Sequence, residues 1–337
     1  MKKYIAFIVA LVLLVAAIFV PQASANDVKA GKGNGDSDEF EDLKDLQNMV
    51  KDLKEKGLDD GATFYISGER SFSISSSQKG SQSSSKGVVV FNAEWYVTSK
   101  AQYIVCDATI YEFSSMEDDN YDIEYSGAEA SSISFEIFES SKKELVRINK
   151  FDAVPTVYDQ TAVALYLGKW VEDDADFIGI ADLAWDYADL VEEAVGLAKD
   201  VLYTDENDWD ESGKKLTLDE DYVEEVAYEL LGSVNEDDDE YKGKVQLSFA
   251  DKDAPKLSVS VKANFADEDE SGKVDYKSGA NYAIYEIVLT NVDNTDIDES
   301  IDKKDIITEK EMKKALKNTG LWDKYIDVDD EEEEDDE

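Results

Sequence analysis

The sequence predicts an α+β protein in which an antiparallel β-sheet packs against amphipathic helices. The period of the apolar residues is two through residues 64–167, three to four through residues 180–231, and two again through residues 245–289. A period of two is typical of strands with one buried face, and the longer period is typical of helices with one apolar stripe. Parallel strands would instead give continuous apolar runs separated by helices, so we expect antiparallel pairing.

Residues 1–25 have the pattern of a secretory signal peptide. Two lysines precede an apolar run over residues 4–20, and small residues, Ala23 and Ala25, stand before a predicted cleavage site. A retained membrane anchor is the alternative, but the apolar run is shorter than the roughly 20 residues that span a bilayer. We therefore expect cleavage after Ala25 and a secreted or extracytoplasmic protein, which would be membrane-anchored if the peptide stayed uncleaved.

The mature chain is predicted to begin with a flexible lead-in and to continue into one domain. Residues 26–39 hold three glycines and show no apolar period, which is typical of a linker. From Phe40, apolar residues recur at helical spacing until Gly57, which predicts a first amphipathic helix. We expect this helix to open a single α+β domain that spans residues 40–302.

Alternating apolar residues predict a set of strands between this helix and residue 167. The residues expected on their buried face are Phe64, Ile66, Phe72, Ile74, Val89, Phe91, Ala93, Trp95, Val97, Ile104, Cys106, Ala108, Ile110, Ile133, Phe135, Ile137, Val163, Leu165 and Leu167. Cys106, the only cysteine, is therefore predicted to be a buried thiol. The serine-rich residues 75–87 are predicted to form a long hairpin loop or a solvated arm.

Two amphipathic helices are predicted after this first strand set. The first spans residues 180–202 and carries an apolar stripe at helical spacing. The second is predicted to begin at a capping box formed by Thr217 and Glu220 and to end at Gly232. Each helix must cover its apolar stripe, and we expect the sheet to provide the covering surface.

Alternation resumes after the second helix and predicts the remaining strands. Their apolar faces are Val245, Leu247 and Phe249, then Leu257, Val259, Val261, Ala263 and Phe265, then Ala283, Tyr285, Ile287 and Leu289. A short helix capped by Thr308 and Glu311 and stopped by Gly320 is predicted within a C-terminal extension, residues 303–326. Ten of the eleven residues 327–337 are acidic, so we expect a disordered tail.

The composition argues against several classes of function. The 79 acidic residues against 34 basic residues give a formal charge of −45, which repels phosphate backbones and anionic headgroups. The chain holds no histidine, so the commonest general base and transition-metal ligand is missing. A single cysteine rules out an intrachain disulfide and a thiolate zinc site. We therefore expect a non-catalytic protein that does not bind nucleic acid.

One acidic loop has the spacing of a calcium site built from oxygen ligands. Asp267, Asp269, Ser271 and Asp275 occupy ligand positions of such a loop, but Ser278 stands where the closing bidentate carboxylate is expected. Strands rather than helices are predicted on both sides of it. We therefore expect a charged hairpin turn and no cofactor, with calcium as the alternative.

The order of these elements resembles the LolA/LppX-like lipoprotein-carrier superfamily. The resemblance rests on a helix, a run of antiparallel strands, two amphipathic helices and a closing strand set, and on residues 257–265 after Pro255 and residues 285–294, which run into a polar turn. It implies a curved sheet in the form of a half-barrel that wraps helices and leaves an apolar cavity for acyl chains. Many relatives carry a lipid-anchor cysteine, which this chain lacks after its predicted signal peptide.

A layout with two helices between two strand sets can enclose a binding site. The residues predicted to contact a lipid or another hydrophobic ligand are Val89, Phe91, Trp95, Ile133, Phe135, Leu183 and Tyr187. One alternative is an acidic cell-surface or scaffold protein that associates with divalent cations or cationic polymers through its charge. The envelope surface or other envelope proteins are further partners that fit the predicted location. An enzyme that uses a pair of carboxylates is the other alternative, which the missing histidine disfavours.

Overall fold

Twelve strands and five helices have defined bounds in the structure, a computed structural model. It describes residues 48, 51, 55, 61–78, 81–118, 123–154, 159–203, 209–212, 215–232, 240–251, 254–268 and 274–325. The predicted signal peptide, lead-in and acidic tail lie outside these residues. Of the predicted first helix only Asn48, Lys51 and Glu55 are described, and all three are helical. Every described residue belongs to one compact unit, Phe40–Glu337.

The elements are numbered in chain order. The strands are β1 (Ala62–Gln78), β2 (Ser81–Val97), β3 (Ala101–Asp118), β4 (Ile123–Ser140), β5 (Lys143–Val154), β6 (Trp170–Glu172), β7 (Trp209–Ser212), β8 (Lys215–Leu218), β9 (Glu240–Ser248), β10 (Lys256–Glu268), β11 (Val274–Thr290) and β12 (Ile306–Ile307). The helices are α1 (Gln160–Tyr166), α2 (Ile180–Tyr203), α3 (Glu220–Leu231), α4 (Glu309–Thr319) and α5 (Trp322–Tyr325).

All twelve strands join one open sheet. Its order is β12-β6-β5-β4-β3-β2-β1-β11-β10-β9-β8-β7, so β1 and β11 pair although most of the domain separates them in sequence. Every neighbouring pair is antiparallel except β6 and β12. The predicted α+β class with an antiparallel sheet and packed helices is therefore confirmed for the described residues.

Helices α2 and α3 cover one face of this sheet, called here the inner face. Helix α2 contacts β1, β3, β4, β5 and β11, and α3 contacts β9, β10 and β11. The buried side of α2 is rich in alanine, which lets the helix backbone approach the strands closely. The buried residues of α2 are Ile180, Ala181, Ala184, Tyr187, Ala188, Val191, Ala194, Val195, Leu197, Ala198, Val201 and Leu202. This packing forms the main hydrophobic core.

The opposite, outer face of the sheet carries a second and smaller core. Phe138 and Leu145 are buried there together with Trp170. The chain after β11 returns across this face, and Ile306 is buried against the same cluster. Residues 303–325 also contribute to the main core, because Met312 and Leu316 of α4 are fully buried in it.

Most predicted strand faces are confirmed where their side chains are described. The inward residues of β2, β3, β9, β10 and β11 alternate as predicted, and Cys106 is fully buried on β3. Its burial raises the pKa of the Cys106 thiol, so the thiolate is disfavoured. The capping box at Thr308 and Glu311 and the left-handed Gly320 after α4 are also confirmed.

The predicted long loop over residues 75–87 is wrong for the described residues 75–78 and 81–87, and the alternative, a solvated arm, stays a prediction. Strands β1 and β2 stay paired residue by residue until Gln78 faces Ser81, so the serine-rich segments are strands. A run of serines shows no alternation of apolar residues, so the sequence does not predict a strand here. The backbone hydrogen bonds of a hairpin form without such alternation.

The predicted strand at Val163, Leu165 and Leu167 is wrong, because residues 160–166 form α1. Asp159 caps this helix, and its carboxylate accepts hydrogen bonds from the backbone N–H groups of Thr161 and Ala162. Three apolar residues at intervals of two are too few to distinguish a strand from a helix.

The predicted capping box of α3 is also wrong. Thr217 belongs to β8, where its hydroxyl accepts a hydrogen bond from Gln246 at 3.0 Å. Asp219 is the actual N-cap and accepts the backbone N–H of Asp221 at 3.0 Å. The C-terminal stop at Gly232 is confirmed.

Candidate ligand-binding cleft

A cleft of about 590 Å³ opens between α2 and the inner face of β1 to β5. Its walls are the first half of α2 and the middle of the long strands β1 to β4, with Ala153 near the end of β5. The lining residues are Arg70, Phe72, Val89, Ile110, Glu112, Glu129, Ala130, Ser131, Ala153, Leu183, Asp186, Tyr187, Leu190 and Glu193. It is partly open to solvent, so its apolar side chains are only half-buried at Phe72, Ile110, Leu183 and Leu190.

The strand registers arrange the floor of the cleft in transverse rows. The cleft row runs across five strands through Arg70, Val89, Ile110, Ser131 and Ala153. The next row toward the serine-rich strand ends, called the acidic row, holds Phe72, Gly87, Glu112 and Glu129. A Cβ atom at Gly87 would clash with the Phe72 ring, so this glycine lets the ring lie across the sheet.

The predicted ligand-binding residues fall in different rows. Val89, Leu183 and Tyr187 line the cleft together, with Val89 on the floor and the other two on α2. Phe91 and Ile133 lie one row deeper, in a fully buried row that also contains Gly68.

Phe135 and Trp95 lie two and three rows away from the cleft row, inside the packed core. Phe135 has no exposed surface, and its row partners Cys106 and Ile148 are also fully buried. The indole N–H of Trp95 has no hydrogen-bond acceptor within the described part of the chain, and the ammonium of Lys199 lies 5.6 Å from its ring centroid.

Arg70 lies at the centre of a polar cluster that joins four elements, β1, α2, α3 and β11. Its guanidinium donates hydrogen bonds to the Glu193 carboxylate on α2 and to the Leu230 carbonyl in the last turn of α3. The hydroxyl of Tyr285 on β11 donates to the same carboxylate at 3.1 Å. Burial alone would lower the pKa of Arg70, but Glu193 and Tyr285 outweigh it and raise that pKa. The Arg70 side chain therefore stays protonated, and the Glu193 carboxylate compensates its charge.

Three other carboxylates line the cleft without compensation of this kind. Glu112 is half-buried, and Glu129 and Asp186 are exposed. Among the described residues, none of the three forms an ion pair. The acidic row of the floor and Asp186 on α2 therefore place uncompensated carboxylates beside the apolar side chains of the cleft.

A separate polar network lies on the outer face and has the geometry of a structural ion pair. Glu136, which is 8% exposed, accepts hydrogen bonds from Arg147, from the Tyr103 hydroxyl and, at 2.8 Å, from Asn149. The Arg147 guanidinium also lies 4.7 Å from the centroid of the Trp170 ring. All the partners of the Glu136 carboxylate among the described residues belong to β3 and β5, so the network links neighbouring strands.

The predicted calcium loop lies at the tip of the hairpin between β10 and β11. The backbones of Asp267 and Asp275 pair across this hairpin. Asp269 and Ser271, and the side chains of Asp267 and Asp275, lie outside the described residues. Within the described part of the chain, no three acidic or cysteine side chains are grouped so that they could hold a metal ion.

The predicted ligand-binding residues did not include several lining residues, above all Arg70, Ile110, Leu190 and Glu193. Arg70 and Phe72 continue the alternation of Phe64 and Ile66, and an arginine at an inward position of a strand was the available signal. The register that brings Arg70 beside Val89 and Val89 beside Ile110 depends on pairing between strands, which a single sequence does not contain.

Comparison with models of known protein families finds no family that matches the chain. A search of curated protein sequences likewise finds no relative. Of the helices whose residues are described, none has both the length and the apolar character needed to cross a membrane.

Proposed function

We propose that this protein is a secreted or extracytoplasmic, non-catalytic binding protein whose cleft takes the apolar part of a lipid or another hydrophobic ligand. The observation that carries the proposal is the set of half-buried apolar side chains that converge on the cleft from the sheet and α2. Covering such surface removes it from water, which is the main driving force for binding an apolar group.

The dimensions of the cleft support this proposal. A volume of about 590 Å³ lies within the range of about 300–1,000 Å³ that is typical of small-molecule sites. The cleft spans five strands, so an elongated ligand has room to lie along the row from Arg70 to Ala153. A lining in which apolar side chains lie beside several charged groups suits an amphiphile.

We further propose that the sheet curves around α2 and α3 as a half-barrel, as the LolA/LppX-like resemblance implies. The single open sheet with α2 and α3 on its inner face supports this arrangement. Location outside the cytoplasm rests on the signal-peptide pattern of residues 1–25. The non-catalytic role rests on the absence of histidine from the sequence, which removes the commonest acid–base group.

The test is saturable binding of Nile red, a neutral dye that fluoresces in apolar surroundings, to the mature protein. We expect binding to stabilise the fold in proportion to the logarithm of the dye excess. Leu190→Trp should fill the cleft and weaken dye binding about tenfold or more. The larger side chain occupies the space and covers the apolar surface that the dye would otherwise contact. Leu167→Trp is the matched control, because Leu167 is 39% exposed at the end of α1 and lies outside the cleft lining.

Two results would reject the cleft as a binding site. One is the absence of saturable dye binding to the unsubstituted protein. The other is an equal loss of binding in Leu190→Trp and Leu167→Trp, since that would place the dye elsewhere. Thermal melting of both variants shows whether each remains folded.

The acidic composition favours a second candidate function. A charge of −45 suits a cell-surface or scaffold protein that associates with divalent cations or cationic polymers. That role requires no cleft, so it would survive a failure of the dye experiment.

A further inference from the structure

The charge pattern of the cleft points to the chemistry of its ligand. Glu112 and Glu129 are register partners on β3 and β4, so their side chains leave the same face of the sheet directly opposite each other. Like charges in this position destabilise a sheet. Both side chains line the cleft next to its apolar floor, and Asp186 lines it from α2.

Among the described lining residues, the one cationic side chain does not offset this repulsion. Arg70 is already bonded to Glu193 and to the Leu230 carbonyl, so its charge and its donors are engaged. The carboxylates of Glu112, Glu129 and Asp186 therefore leave the cleft with excess negative charge. An anionic head group entering the cleft would meet three carboxylates, whereas a cationic group would relieve the repulsion between Glu112 and Glu129.

We propose that the cleft selects amphiphiles whose polar group is cationic, such as a primary or quaternary ammonium attached to an apolar body. The apolar body lies on the cleft row and against Leu183 and Leu190, and the ammonium lies at the acidic row. This inference rests on the proposed function, because it assigns a ligand class to the same cleft.

The test compares three probes that share one alkyl chain: decylammonium, decanol and decanoate, each below its micelle concentration at neutral pH. We expect decylammonium to bind about tenfold tighter than decanoate, as charge-assisted contacts in a partly desolvated site imply. Decanol should bind with intermediate affinity. Displacement of Nile red and calorimetry measure the three affinities.

The variant Glu112→Gln with Glu129→Gln should remove most of the preference for decylammonium and leave decanol binding unchanged. Its matched control is Glu224→Gln with Glu229→Gln, two exposed positions on α3 outside the cleft lining that change the net charge equally. The control should keep the preference. Without ligand, the cleft variant should melt at the same or a higher temperature, because a like-charge pair has been removed.

The outcomes separate the two proposals. If decanol and decanoate bind as tightly as decylammonium, the cationic preference is overturned and the hydrophobic cleft stands. If the preference falls equally in the cleft and control variants, it reflects net charge and the inference is likewise overturned. If none of the three probes binds, the proposed function itself fails.

Discussion

Both arginines of the chain, Arg70 and Arg147, lie in internal ion pairs. Arg70 joins β1 to α2 and α3 on the inner face, and Arg147 fastens Glu136 on the outer face. Guanidinium groups suit this task because their fixed donor geometry satisfies a carboxylate and a second acceptor at once. The basic side chains that remain for the surface are therefore lysines.

Replacement of Glu136 by Gln tests the outer-face network. The change removes the charge from four hydrogen bonds, donated by three side chains, which should lower the unfolding free energy by about 2 kcal/mol at neutral pH. Glu286→Gln is the matched control, because Glu286 pairs with Lys256 at 2.6 Å on an exposed part of the sheet. Such surface pairs contribute about 1 kcal/mol or less. Urea unfolding of the three proteins measures the difference.

The pH dependence of this effect has a defined sign. Burial alone would raise the pKa of Glu136, but hydrogen bonds from Tyr103, Asn149 and Arg147 outweigh it and lower that pKa below its ordinary value of 4.5. A carboxyl with a lowered pKa in the folded state stabilises the protein above the unfolded pKa and loses this contribution as pH falls through the folded pKa. The cost of Glu136→Gln should therefore shrink below about pH 4.5. A constant or growing cost in acid would contradict the network as described.

At the scale of elements, alternation of apolar residues located the strands that have one buried face and one solvated face. Strand β10 is an example, since Val259 and Val261 are buried while Ser260 and Lys262 are exposed. Strand β5 was missed for a physical reason. Leu145 faces the outer core and Val146 the main core, so adjacent residues are both buried. A β-bulge between Ile148 and Lys150 then puts Phe151 and Ala153 out of phase with Val146 and Ile148, so no continuous alternation marks the strand.

The cleft shows the same limit of sequence reasoning. The seven predicted ligand-binding residues all lie on or near the inner face, but three of them line the cleft and four pack in deeper rows. Neighbouring rows are two residues apart along each strand and lie on the same face of the sheet. A correct prediction of the face therefore does not show which row is covered by α2 and which row lines the cleft.

The N-cap of α3 supplies a test at this scale. Asp219→Ala should lower the unfolding free energy by about 1 kcal/mol, because the Asp221 backbone N–H loses its acceptor. Glu220 is the residue of the capping box predicted from the sequence that lies in the helix. Glu220→Gln should change the unfolding free energy by less than about 0.5 kcal/mol. Thermal and urea unfolding of both variants decide between the two caps. If Glu220→Gln lowered the unfolding free energy more than Asp219→Ala does, this result would support the capping box of Thr217 and Glu220 instead.

The net charge of the molecule destabilises the folded state, whereas the two hydrophobic cores stabilise it. A net charge of −45 repels itself in the compact state more strongly than in the unfolded chain. The two internal arginine pairs offset little of this, so the surface keeps a large excess of carboxylates. Screening should therefore stabilise the whole domain, and the effect belongs to no single site.

We expect added salt to raise the melting temperature, with calcium and magnesium acting alike at fixed ionic strength. A true calcium loop would behave differently, because stabilisation would saturate at low calcium and disappear in Asp267→Ala with Asp269→Ala. That double variant should be nearly silent, because Ser278 supplies no closing carboxylate. Melting series in both ions measure this. Calcium-specific saturation that the double variant abolishes would contradict the expectation and favour the cation-binding surface role over the ligand-binding cleft.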